Sequence, residues 1–568
     1  MSALNTNLTL TRETWSGRCI LPILVLTALA LVFAVPTVTG QCQVEKLMAP
    51  GHTALDDFGA AVAIEGDYAV IADRCGTSTG EVFAFVKTSF GWVNTEILFP
   101  IDPCDAQEFG YSVAMSGQTL LVGAPGDDDL GGGVGAVYVY FRDERGTSDA
   151  ADDVWLEVGK VYPTGPVLPT RYGEALALDG NLAAIGAPGT AMQPAAVFVL
   201  LRDDNGTPIF PFDDAWYEET VLVPDGGSVL TEFGTALSLD DPFLLIGDTR
   251  DDAAGINSGA VYVYMRNVVE TPVRWFLDDK WIPFIDNDFN EFGSSVDLDG
   301  EFAVVGSPGD AGGTDGRVYV YERDASTKMW PRQVALNNPT AFDWASFGTA
   351  VAASDGRVLA SAPLMGFLHY SGGRVWMFEK SGETWLTTMD FQAADEQLGD
   401  YFGTALDVSG EALLVGAPGF AGLTEDLVSP VVGSGAMLAL DLVDPWIDHG
   451  FGLTDDVPEP RICGWGVMTE GWPVSLKLYQ APPSALGGLV VGFSTLFTPF
   501  KGGTLVPSPD LILPVFADGF GEAYLSAGWV PDGMLPARMP IYFQHWIIDP
   551  TQAPAGWAAT NALEVRTP

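Results

Sequence analysis

Basic residues are few in this chain: 26 Lys and Arg stand against 74 Asp and Glu in 568 residues, a formal net charge of -48. A surface of one sign repels polyanions, which excludes nucleic acid and an anionic membrane as partners. Histidine is scarcer still, at His52, His369, His449 and His545, with neither H-E-x-x-H spacing nor clustering. That pattern supplies no ordinary zinc site and little general acid-base chemistry. Long apolar runs are missing after residue 35, so no later segment spans a bilayer. The single apolar run, Ile20 to Val35, falls short of the ~20 residues of a membrane helix. It follows Arg12 and Arg18 and precedes the small residues Thr37-Val38-Thr39-Gly40, so residues 1–40 read as a signal peptide cleaved after Gly40. The chain is expected to be secreted or associated with the cell surface, with no transmembrane span after signal removal.

Glycine and proline are abundant, at 66 and 39, alongside 47% hydrophobic residues, which points to a turn-rich globular chain. An aromatic-Gly pair recurs seven times, at Phe58-Gly59, Phe109-Gly110, Tyr172-Gly173, Phe233-Gly234, Phe292-Gly293, Phe347-Gly348 and Phe402-Gly403. Fourteen residues after each aromatic stands Ala72, Gly123, Gly186, Gly247, Gly306, Ser361 or Gly416, opening a Gly-Ala-Pro-like turn. Seventeen residues before it stands a Trp in six copies: Trp92, Trp155, Trp216, Trp275, Trp330 and Trp385. Neither offset varies, so length variation is confined to two loops of each repeat.

Between the aromatic and the Gly-Ala-Pro turn lie two short strands around a tight turn, A and B. A third, C, alternates apolar and aromatic residues, as in Val137-Tyr138-Val139-Tyr140, and the Trp opens a fourth, D. Four strands in each of seven repeats predict an all-β, seven-bladed β-propeller over residues 41–442. The seventh repeat lacks strand D. Counting seventeen back from Phe58 lands on Gln41, so Gln43 to Met48 is expected to close the ring as that missing strand.

The repeated FG, GAP and GxVYVY segments resemble FG-GAP repeats, which form the propeller of integrin α subunits and of many bacterial surface proteins. The resemblance spans Gln41 to about Leu442 and implies a calcium loop between strands A and B. Here those stretches are tight turns, among them Glu65-Gly66, Asp179-Gly180, Asp240-Asp241 and Asp299-Gly300, too short to surround an ion. The family's calcium sites are therefore not carried over, and no cofactor is expected beyond loosely held calcium.

Strand parity sends the B–C and D–A loops to one face, which collects Asp127, Asp128 and Asp129 in repeat two, Asp248, Asp251 and Asp252 in repeat four, and Asp310 and Asp315 in repeat five. The resemblance makes this the face used for partners. Its acids read either as a ligand or cation face or as solvated Gly-rich loops. The Trp residues opening strand D read as blade packing before they read as a carbohydrate platform. Gly76-Thr77-Ser78-Thr79-Gly80 matches G-x-S-x-G but sits between strands, where no nucleophile elbow forms.

Four cysteines follow the leader. Cys75 and Cys104 fall on one face of adjacent turns and are expected to pair, leaving Cys42 to pair with Cys463. From residue 443 to 568 the repeat disappears, and apolar runs between Gly/Pro turns predict a C-terminal β-sandwich domain. Together these readings describe an exported, non-catalytic binding, adhesion or scaffold protein whose partner is an extracellular protein or polysaccharide. The rival reading is an extracellular hydrolase or lyase with its site in the propeller channel.

Overall fold

The structure is a computed structural model. It describes residues 39–41, 45–47 and 49, most of 57–419 apart from short loop stretches, and from 422 onward chiefly strand backbone. Residues 1–38, Cys42, Cys75, Cys104, Ser78, Asp310 and Asp315 lie outside the described residues, as does the side chain of Cys463, so the leader and both disulfide pairings do too.

Each repeat builds one antiparallel sheet in the order A-B-C-D. In repeat two these strands are Val113–Ser116, Thr119–Ala124, Ala136–Asp143 and Val154–Val161. Seven such sheets occur among the described residues, and their A strands touch in cyclic order, the seventh returning to the first. Strand B is largely apolar because it is covered on both faces by neighbouring sheets. Thr119–Ala124, Leu182–Ala187, Phe243–Asp248 and Ala412–Ala417 are buried at every position. Strand D forms the rim, so in Arg274–Trp281 exposed and half-buried residues mix.

The invariant offset of fourteen has a hydrogen bond behind it. In every repeat the Gly N–H after the aromatic donates to the carbonyl fourteen residues beyond that aromatic, from Gly59 to Ala72 through to Gly403 to Gly416. These glycines sit at φ between +84° and +97°, where a side chain is strained. The aromatic itself is fully buried in all seven copies. In six of them it meets a strand-C ring edge-on, as Phe109 meets Tyr138 at 5.2 Å and Phe233 meets Tyr262 at 5.1 Å. The residue at the offset abuts the next sheet: a Cβ on Gly247 would lie 2.0 Å from the Gly293 carbonyl oxygen, and one on Gly416 2.0 Å from that of Gly59. The sheets are thus packed too closely for inserted residues, and length varies only in the loops.

The N-terminal segment closes the ring as expected. Glu45–Leu47 pairs antiparallel with strand C of repeat seven, Leu47 opposite Met437, and supplies the strand that repeat lacks. Just before it, Thr39–Gln41 runs parallel to Met389–Phe391 and adds a fifth strand to the sixth sheet, an addition the repeat pattern does not foretell. The expected cleavage point after Gly40 falls inside that short strand.

Beyond residue 443 the strands form a five-stranded sheet, a three-stranded sheet and a two-stranded hairpin, the longest members being Pro540–Ile548 and Trp557–Arg566. Of 568 residues, the two short 3-10 turns Ala150–Asp152 and Pro211–Asp213 are the helical segments among those described. No helix of the described residues is long and apolar enough to cross a membrane.

Candidate functional site

The acids of the B–C and D–A face divide into two groups. Asp127 is buried, and Lys160, from strand D of the same sheet, places Nζ 2.8 Å from its Oδ2. The same ammonium lies 2.8 Å from Asp102 and 2.6 Å from Asp129, and the Tyr138 hydroxyl donates to Asp102 at 2.7 Å. Gln107 donates to Asp127 at 2.8 Å. Burial opposes the lysine charge, but three carboxylates outweigh it and raise the Lys160 pKa above its ordinary value. In turn, Lys160 and then Tyr162 hold Asp129 below the usual carboxylate range.

Repeat four repeats the arrangement. Asp251, four residues past the offset glycine as Asp127 is, accepts from Lys280 Nζ at 2.6 Å and from the Tyr262 hydroxyl at 2.8 Å. Asp248 is also buried and accepts the Glu232 and Arg250 backbone N–H groups; burial pushes its pKa up to about 6. The Asp252 carboxylate accepts the Asn257 N–H at 2.7 Å from the surface, and Asp128 is exposed. The structure therefore gathers Asp127 with Asp129, and Asp248 with Asp251, while Asp128 and Asp252 present their charge outward. No group of three or more His, Cys, Asp and Glu among the described residues is arranged to hold a metal ion. The lysines were not apparent as site residues, although a Lys five past the Trp in repeats two and four is the signal that marks them.

Alongside the acids, the same loops expose apolar side chains. Ile101 is 80% exposed, and Phe99, Leu130, Ile256, Phe284 and Phe289 are all about half exposed. The Phe289 N–H donates to the Ile256 carbonyl at 2.7 Å, which draws the B–C loop of repeat four against the following D–A loop.

On the opposite face, the A–B turns do something the calcium-loop comparison did not suggest. Strand A is the edge of its sheet, and its outward N–H groups need partners. In six of the seven repeats a side-chain acceptor seven residues past the aromatic takes the N–H of the next sheet's turn. Ser409 accepts from Gly66 at 3.0 Å, Glu65 from Gly117 at 2.5 Å, Ser116 from Gly180 at 3.0 Å, Asp179 from Asp241 at 2.9 Å, Asp240 from Gly300 at 3.1 Å and Asp299 from Gly356 at 3.4 Å. Two residues earlier, Ser238, Asp297 and Asp407 accept the strand-A N–H groups of Leu298, Ala353 and Ile64. Acids that resemble ligand positions by sequence thus join neighbouring sheets.

A ring of four-stranded antiparallel sheets with these turns is an all-β, propeller-type protein. The FG-GAP repeat profile matches residues 42–85, 92–140, 216–264 and 286–321, so the propeller region carries FG-GAP repeats. No curated protein matches it. Similar solved structures include a chain of a mitotic checkpoint complex, 12% identical, covering 76% of this chain and all of that one at a TM-score of 0.37. A putative 6-phosphogluconolactonase from Bacteroides fragilis is 13% identical over 65% of this chain and 93% of its own, TM-score 0.36. Sqt1 of Chaetomium thermophilum is 12% identical over 72% and 92%, TM-score 0.37. At such values these likenesses carry no functional information.

Proposed function

We propose that this protein is an extracellular, non-catalytic binding or scaffold module that engages a protein or polysaccharide through the B–C and D–A loop face. The observation that carries the reading is the pairing of exposed apolar side chains with outward acids on that face. Ile101, Ile256 and Phe289 stand in solvent on the face that also carries the exposed Asp128 and Asp252, while Lys160 and Lys280 engage the buried Asp127 and Asp251. Exposed apolar side chains on a loop face that also carries charge are a frequent feature of partner sites. Catalysis has less to stand on, since His545, the one histidine with a described side chain, is buried in a strand and its desolvation lowers its pKa to about 4.

The test is retention of extracellular protein and polysaccharide from native medium by immobilised full chain, compared with the Ile101→Asp/Ile256→Asp/Phe289→Asp variant. Retention by the parent that drops at least tenfold in the variant, at unchanged melting temperature, supports the reading. Equal retention by both, or turnover of a retained polymer, overturns it.

A further inference from the structure

Seven copies of one sheet show which residues the fold needs at each position, and three departures from the common pattern meet at one place on the B–C and D–A loop face. Two residues past the offset position, where strand B gives way to its loop, five repeats have proline, at Pro125, Pro188, Pro308, Pro363 and Pro418, and the fourth has Thr249. The first has Arg74. Two residues past the aromatic, four repeats have a hydroxyl, at Thr235, Ser294, Thr349 and Thr404, whereas the second has Tyr111. One residue before the aromatic, three repeats have glutamate, at Glu108, Glu232 and Glu291, whereas the third has Arg171. The other sheets form without a base at the first and third of these positions or an aromatic ring at the second, so blade formation does not call for these three residues.

They come from three different repeats and meet. The Arg74 guanidinium lies over the Tyr111 ring, 5.1 Å from its centroid, and that of Arg171 lies 5.0 Å from the same centroid. All three residues are half-buried, so part of each is open to solvent. Arg171 is already engaged: Glu108 lies 3.1 Å from its Nη1, and Glu174 accepts from its Nε. Arg250, Lys160 and Lys280 on the same face are paired in the same way, with Glu232, Asp127 and Asp251. Arg74 has no carboxylate or other acceptor among the described residues, and the Tyr111 hydroxyl has no hydrogen-bond partner there either.

The chemistry of the three groups selects the ligand. A guanidinium presents a planar fork of N–H donors that matches a carboxylate, and the tyrosine hydroxyl adds one more donor beside it. The ring under Arg74 restrains the guanidinium before anything binds, which lowers the ordering cost. The net charge of -48 narrows the carrier of that carboxylate. It repels a polyanion such as a uronic-acid polymer, whereas a protein surface that is otherwise neutral or basic can bring one carboxylate to Arg74 and meet the outward acids as well.

We propose that Arg74, with Tyr111 and Arg171 beside it, receives a carboxylate of a protein partner. The proposal rests on the reading of the loop face as a partner surface and names the chemistry of one contact on it. The test is titration of the full chain, by ligand-observed NMR at low salt, with N-acetylated tetrapeptides ending in a free carboxylate, the same peptides ending in an amide, tri-galacturonate and inorganic sulfate. At least one free-acid peptide is expected to bind one-to-one, and its amide at least tenfold more weakly. Binding should weaken at least tenfold in Arg74→Thr and in Tyr111→Thr, each of which installs a residue that other repeats carry at that position and so keeps the fold. Arg145→Gln, which removes the same charge from an exposed loop of the opposite face, should leave binding unaltered. Absence of binding by every free-acid peptide overturns the proposal, as do equal binding of acid and amide, binding that survives Arg74→Thr, an equal loss in Arg145→Gln, or binding of tri-galacturonate or sulfate in place of the peptides. Any of these leaves the loop-face reading standing as long as the Ile101→Asp/Ile256→Asp/Phe289→Asp variant loses retention.

Discussion

Asp407 sits on strand A of the seventh repeat, its Oδ2 accepting the Ile64 N–H of the first at 2.8 Å. Burial, then the nearby carboxylate of Asp297, pushes its pKa up to about 7; burial likewise raises Asp297 to about 6. Both lie above the ~3.9 of an unfolded chain, so the native state binds protons the unfolded state does not. Stability from these groups is full below about pH 4 and is lost as the pH rises through 6 and 7. Asparagine in place of Asp407 removes that ionisation while keeping an acceptor for Ile64. Denaturant unfolding of the parent and Asp407→Asn at pH 5 and pH 8 should show the variant gaining at least about 1.4 kcal/mol relative to the parent between the two, the equivalent of one pKa unit. A difference that does not change with pH would sink this account.

Strand A shows how element and residue divide the information in the sequence. Its position was legible because the aromatic-Gly pair and the fourteen-residue offset are tied to one sheet, by the Gly N–H bond in each repeat and by ring contacts within it. The missing seventh strand was legible for the same reason, since Glu45–Leu47 keeps the register of the Trp-led strands. The roles of Asp179, Asp240 and Asp299 were not, because each binds across to another repeat about sixty residues away, and local spacing cannot distinguish that from a ligand position. Lys160 was hidden likewise, its partners being gathered from residues 102, 127 and 129. If the turn acceptors clasp the sheets independently, Ser116→Ala and Ser409→Ala should each lower unfolding free energy by about 0.5–1.5 kcal/mol. They lie at separate junctions with no shared partner, so the double variant should show the sum. Urea denaturation of the three variants checks this, and a neutral double variant would remove the clasp from the account.

At the scale of the whole molecule, the question is what turns seven sheets, each packed only on its neighbours, into a closed body. An open array of such units frays from its ends, because a terminal sheet has one uncovered face and an unpaired edge. Here the first and last sheets meet, and the residues that join them lie at opposite ends of the repeat region. Leu47, 5% exposed, packs in one cluster with Phe58 and Phe85 of the first repeat and Leu414 of the seventh. Leu98, 3% exposed, holds the corresponding place in the first sheet, within a cluster shared by repeats one and two. Truncating either leucine to alanine should cost about 2–5 kcal/mol, because burial and side chain are alike. Their consequences should differ in reach. Leu47→Ala weakens the one junction held by a strand from the far end of the chain, so native-state hydrogen exchange should quicken together in strand A of repeats one and seven, with repeats three to five still protected. Leu98→Ala interrupts a junction the chain itself connects, and its exchange should quicken only in repeats one and two. Matching patterns in the two variants would mean that the N-terminal strand decorates the seventh sheet without closing the ring.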